Sequence, residues 1–118
     1  MTKPHQSDAL DLAARISKRE LSVREATEAA IVSIEKQNPQ LNAVVAERFD
    51  AARADAEAMD QNYPEQTGPL WGVPFLLKDV NLYSSLLPTR FASRFFATAQ
   101  PKVTALWFAA GALAGLLF

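Results

Sequence analysis

Gly68-Pro69-Leu70-Trp71-Gly72-Val73-Pro74-Phe75-Leu76-Leu77-Lys78-Asp79 decides how the rest of the chain is organised. An entry punctuated by proline and glycine leads into a short apolar run, and the run ends on a lysine followed at once by an aspartate. Over so few residues, periodicity does not separate a buried strand from a piece of helix. Pro74 and the flanking glycines favour the strand, because a proline inside a helix removes a backbone donor and clashes with the preceding turn. The stretch therefore predicts a core strand over about 73–77 whose far end emerges with an ammonium group at its tip. Such ends are where α/β enzymes often place chemistry. On spacing alone, Lys78 is better explained as a solvated strand end, since surface lysines far outnumber catalytic ones.

The elements on either side fit a layered α/β arrangement. Ser7 or Asp8 can cap a first helix from Ala9 to about Lys18, with Leu10, Ala13, Ala14 and Ile16 forming an apolar stripe. Ser22 and Glu25 have the spacing of a capping box, in which each side chain satisfies a backbone N–H of the other. Loss of such a cap costs about 1 kcal/mol. Ala26, Ala29, Ala30, Ile31 and Ile34 carry the apolar face on to Asn38, where Pro39 predicts the helix end. Asn42 to Ala46 is a short β-branched run that predicts a first strand. The alanine-rich segment from Phe49 to Asp60 predicts a third helix, and its spread of Asp and Glu indicates a solvated face more than a carboxylate site. Gln61 to Thr67 is a polar loop, and the strand–helix–loop–strand order suits α/β layers. Val80 to Phe96 predicts loop with short elements.

Composition narrows the functional classes. The 118 residues bound a single domain with a modest core. Twelve basic and 13 acidic residues nearly balance, and no basic cluster is interleaved with aromatics, so nothing argues for nucleic acid. The absence of cysteine excludes disulfides and thiolate metal sites. The N-terminus lacks the apolar core of a signal peptide, which makes a cytoplasmic location the default expectation. His5, in a polar tail, is assigned neither ligand nor base. Ala105 to Phe118 carries no polar side chain. As a helix it would be roughly 21 Å long against a hydrocarbon core of ~30 Å, so core material is the expectation and a membrane span is not.

Gly72-Val73-Pro74-Phe75-Leu76-Leu77-Lys78-Asp79 resembles the lysine motif of the amidase signature family, usually Gly-(Val/Ile)-Pro-(apolar)-x-(Val/Ile/Leu)-Lys-Asp. Upstream, Asn38-Pro39-Gln40-Leu41-Asn42-Ala43-Val44-Val45 is similar to the family's Asn-Pro-x-(Leu/Ile)-Asn-Ala-(apolar) segment. Downstream, Leu82-Tyr83, Pro88-Thr89, Ser93-Arg94-Phe95-Phe96 and Ala109-Ala110-Gly111-Ala112 follow in the family's order. The resemblance runs from about Ser7 to Ala114. It implies an α/β fold: N-terminal helices plus the first strands of the mixed-sheet amidase signature fold. Residues 1–40 would be its helical region and 41–118 the start of its α/β core, with an apolar tail over 105–118. Two departures stand out. The family usually has a glycine near Leu86 and another where this chain has Ala92, and replacing a glycine of positive φ strains a loop.

The resemblance also implies a reaction, the hydrolysis or transfer of carbon–nitrogen amide bonds by a Ser–cisSer–Lys triad. A lysine whose pKa is depressed by burial acts as the base, working through a bridging serine to activate a nucleophilic one. Backbone N–H groups hold the oxyanion. Lys78 matches the family's lysine, and Asp79 matches an adjacent aspartate assigned to supporting structure. No metal or organic cofactor is implied. Family members act on aminoacyl-tRNA amides, fatty amides, oligoamides and small aromatic amides. The two serines have no counterpart, because none of the four glycines stands beside a serine. Ser7, Ser17, Ser22 and Ser33 belong to helices or caps, while Ser84, Ser85 and Ser93 lack a glycine-rich setting. Two expectations follow. The first is the N-terminal portion of an amidase, cut short by a stop or frameshift and inactive alone. The alternative is a small non-catalytic interaction protein that uses its apolar tail for self-association, a partner or a membrane; the first is preferred, since two strands cannot cover their own faces.

Overall fold

A computed structural model describes residues 7–65, 68–79, 86–88, 90–96 and 98, together with the backbone of 116–117. The chain divides into two compact units, Met1–Phe75 with Gly111–Phe118, and Leu76–Ala110. The first unit contains helices α1 (Ala9–Ser17), α2 (Val23–Leu41) and α3 (Phe49–Gln61), and strands β1 (Pro74–Phe75) and β2 (Leu116–Leu117). The second contains a single 3₁₀ turn at Arg94–Phe96 among its described residues.

Helix α1 starts where Asp8 accepts the Asp11 N–H at 2.8 Å, which selects Asp8 over Ser7 as the cap. It stops in a Schellman arrangement. The Glu20 N–H bonds the Arg15 carbonyl and the Arg19 N–H bonds that of Ile16, both at 2.9 Å, with Arg19 left-handed at φ 56°. Glycine usually fills that position. Here the Arg19 guanidinium lies 4.3 Å from the centre of the Tyr63 ring, a cation–π contact of about 0.5–1 kcal/mol that offsets part of the backbone cost.

Helix α2 opens with the capping box expected from Ser22 and Glu25. The Glu25 N–H donates to Ser22 Oγ at 3.0 Å and the Ser22 N–H to Glu25 Oε2 at 2.9 Å. Two further donors of the first turn are met from a distance. Asp60, at the end of α3, accepts the Val23 and Arg24 N–H groups on its two oxygens, each at 2.9 Å. One carboxylate thus caps the helix and complements its positive end. Asp60 is therefore a structural ligand, a role the solvated-face expectation for α3 did not include. Its neighbours also face α2, with Glu57 paired to Arg24 and Arg53 to Glu28 at 2.8 Å.

Two sequence expectations fail at the other end of α2. The helix does not stop at Asn38 but runs to Leu41 with Pro39 inside it. Pro39 sits in the last turn, and Asn42, left-handed at φ 48°, closes that turn with its N–H on the Asn38 carbonyl at 2.7 Å. The strand expected over Asn42 to Ala46 is not formed. The Asn38 side chain takes the N–H groups of Ala43 and Val44 and donates to the Val44 carbonyl, each at 2.9 Å. It thereby occupies the backbone groups a ladder would use.

The core of this unit gathers Leu12 and Ile16 of α1, Leu21, Val23, Ala26 and Ile31 of and before α2, Ala52 and Ala56 of α3, and Trp71 and Val73. Ala52 and Ala56, one turn apart and fully buried, let α3 approach closely. Thr27 is buried among these groups, and its Oγ1 has no hydrogen-bond partner among the described residues. Trp71 stands edge-on to Tyr63 at 4.5 Å, and the Tyr63 hydroxyl donates to the Ile16 carbonyl at 3.2 Å. Gly72 follows with φ 77°, and a Cβ there would lie 2.7 Å from Val23 Cγ2. The strand expected over 73–77 is confined to β1, which pairs in parallel with β2 in the register Pro74–Leu116 and Phe75–Leu117. Among the described residues this pair is all that is formed of the expected mixed sheet. Val80 to Ser85, Thr89 and the apolar segment 105–115 lie outside the described residues. Among the described residues no helix is long and apolar enough to cross a membrane.

The Ser22 backbone bond holds the Glu25 carboxyl below its ordinary 4.5, and the Arg53 hydrogen bond does the same for Glu28. A carboxyl whose pKa is lowered by folding contributes stability that is present above its unfolded value and is lost as pH falls through the folded one. The urea midpoint should therefore decline as pH drops below about 4.5. The Glu25→Gln/Glu28→Gln double variant should show a shallower acid limb. An unchanged limb would contradict both assignments.

Candidate functional site

Lys78 lies in the second unit, three residues after β1 along the chain, and is exposed. The described residues do not supply the burial that would prepare a lysine to act as a base. Beside it, Asp79 is half-buried, and its Oδ1 accepts the Arg90 backbone N–H at 2.8 Å. This bond ties the two positions to each other and agrees with a supporting role for the aspartate.

The returning segment is built around a tight turn. The Ser93 N–H donates to the Arg90 carbonyl at 2.8 Å, and the Phe96 N–H to that of Ser93 at 3.2 Å. Phe91 and Ala92 between them both have φ of 51°. The concern raised by the missing glycines is thus realised at Ala92, whereas Leu86 is not among the residues of positive φ. Leu87 is buried. Phe96 packs 5.6 Å from Phe91 and edge-on to Phe95 at 4.9 Å, while Phe95 remains 87% exposed.

Every described serine is already engaged. Ser17 Oγ donates to the Ala14 carbonyl at 2.9 Å, and Ser22 belongs to the capping box. Ser33 Oγ accepts from Gln37 at 2.8 Å, and Ser7 Oγ from Arg15 at 3.5 Å. Ser93 Oγ accepts the Phe95 N–H at 3.3 Å. Ser84 and Ser85 lie outside the described residues. Within the second unit, Ser93 makes no hydrogen bond to Lys78, and among the described residues no group of His, Cys, Asp and Glu is placed to hold a metal ion.

Comparison with known proteins gives this arrangement a context. The Amidase family model matches residues 25–115. The chain is 37% identical over 99 residues to a glutamyl-tRNA(Gln) amidotransferase subunit of Lachnospira eligens, covering 82% of this chain and 20% of that protein. It is 35% identical over 94 residues to an acylamidase of Rhodococcus erythropolis, covering 76% and 19%. Among solved structures it matches a bacterial aryl acylamidase of the amidase signature enzymes with a TM-score of 0.68 and 31% identity, over 83% of this chain and 21% of the other. The chain thus spans about a fifth of the length of the curated relatives it matches.

A left-handed alanine costs roughly 1–2 kcal/mol relative to a right-handed one, and a glycine gives back about 0.4–1 kcal/mol through the unfolded chain. Ala92→Gly should therefore stabilise the second unit by about 0.5–1 kcal/mol, read as slower amide exchange at Ser93 and Phe96. Faster exchange at both would show that the turn is not strained.

Proposed function

Because the chain belongs to the amidase signature family, we propose that it carries the lysine-bearing segment of an enzyme that hydrolyses carbon–nitrogen amide bonds, with Lys78 as the base. The observation that carries this reading is the Gly72–Asp79 motif, which lies inside the matched region and leaves Lys78 exposed just beyond a strand end. In the reaction, the free lysine amine takes a proton from a bridging serine, which takes one from the nucleophilic serine. The nucleophile attacks the amide carbonyl, and the nitrogen leaves with a proton. Water then cleaves the acyl-enzyme. Both serines, the oxyanion donors and the walls that bury the lysine come from outside these 118 residues. The substrate we assign is a small-molecule amide, as the acylamidases among the relatives suggest; the amidotransferase in the same group is the reason to draw the class no more narrowly.

Two measurements test this. The 118-residue chain alone should show no detectable hydrolysis of an anilide or a primary amide. A chimera in which this chain replaces the matching fifth of the aryl acylamidase should hydrolyse an aryl amide, and Lys78→Ala in that chimera should lower kcat by about 10²–10⁴-fold, the usual span for a general base. Turnover by the isolated chain, or a chimera indifferent to Lys78→Ala, would contradict the reading.

A further inference from the structure

The proposed chemistry does not use Asp79, yet its carboxylate joins backbone positions eleven residues apart. The Arg90 N–H it holds opens the four-residue turn that Ser93 closes. Positive φ at both central residues is the signature of a type I′ turn, which glycine, asparagine and aspartate normally occupy. Phe91 and Ala92 take it here. Residues in such conformations persist where their surroundings over-determine them, and the Ser93 N–H on the Arg90 carbonyl, the Arg90 N–H on Asp79 and the Phe91–Phe96 ring contact are among the restraints here. A charged acceptor makes about twice as strong a hydrogen bond as a neutral one, so the Asp79 bond ties this turn firmly to the peptide that carries Lys78.

We propose that Asp79 is a positioning residue for Lys78. By anchoring residues 78–79 to the turn at 90–93, it fixes the backbone from which the long, rotamer-rich lysine side chain projects and so limits the volume the ammonium group sweeps. The proposal rests on Lys78 being the base, and it gives a chemical reason for an aspartate to follow that lysine directly.

The test uses the 118-residue chain and two readouts that need no turnover. One is hydrogen exchange of the Arg90 amide. The other is the pH-rate profile for acylation of Lys78 by an amine-selective reagent, followed by peptide mapping. Asp79→Ala should speed Arg90 exchange about tenfold, the equivalent of one hydrogen bond. It should also change the Lys78 acylation rate by about threefold or more through displacement of the amine. Asp79→Asn keeps a neutral, weaker acceptor oxygen in place and should restore both in part. Arg90→Pro removes the donor instead and should reproduce the effect of Asp79→Ala on Lys78, which decides the matter if Asp79→Ala does not fold. Protection of the Val23 amide, held by Asp60, reports that the first unit is intact, and protection of the Phe96 amide, held by the Ser93 carbonyl, that the second still folds. An unchanged Lys78 profile in Asp79→Ala or Arg90→Pro, or a failure of Asp79→Asn to restore it even in part, overturns the proposal. If the chimera proves indifferent to Lys78→Ala, the assignment of the base fails while these readouts still report whether Asp79 restrains the lysine, so the two failures are distinguishable.

Discussion

The close approach of Gly72 to Val23 and Ile16 is the constraint on which the first unit depends. Cβ-sized space is absent there, since the nearest atoms would be 2.7 Å away on Val23 and 3.3 Å on Ile16. The backbone also turns through a left-handed conformation that only glycine adopts without cost. Both requirements fall on one residue because Trp71, immediately before it, is inserted against Tyr63, while Val73, immediately after, returns to the core. A chain that enters the core, reverses and leaves as a strand within three residues has no room for a side chain at the reversal.

What Gly72 packs against is itself held by polar groups. Val23 is the first residue of α2, and its amide is bound by Asp60. The apolar contact to Gly72 and the electrostatic cap therefore meet on one residue. Ile16 is fixed similarly, with its carbonyl accepting both the Arg19 N–H and the Tyr63 hydroxyl. The helical layer is thus clamped where the strand-forming stretch crosses it, and salt bridges between α2 and α3 lie at its exposed margin. Exposed pairs of that kind contribute little individually, so the caps and the buried contacts carry more of the stability.

Much of this was legible in the sequence. Local rules act over three or four residues, and the capping box at Ser22 and Glu25, the starts of all three helices and the glycine–proline strand entry are local. The existence of α3 was also readable from its alanine-rich composition. The errors came where a side chain overrode a local preference. Pro39 should end a helix, but it stands in a final turn closed by Asn42. Residues 42–46 have strand propensity, but the Asn38 amide satisfies their backbone instead. Asp60 was not legible as a cap, because the amides it binds lie more than thirty residues away in the chain. At the candidate site, the motif singled out Lys78 as the residue to test, and the substituted glycine warned of strain at Ala92. The bond from the Arg90 N–H to Asp79 had no signal in spacing or composition.

A side chain at position 72 is incompatible with this packing, and Gly72→Ala puts that incompatibility to the test. Overpacking a well-filled core typically costs 1–3 kcal/mol, and a left-handed alanine adds roughly 1–2 kcal/mol. Ala54→Ser, on the exposed face of α3, serves as the control, since surface substitutions usually stay within about 0.5 kcal/mol of the parent. Urea unfolding should show Gly72→Ala destabilised by about 2 kcal/mol or more, with loss of the near-ultraviolet signal of the Tyr63–Trp71 pair, while Ala54→Ser stays close to the parent. Equal stability of the two variants would contradict the constraint at Gly72.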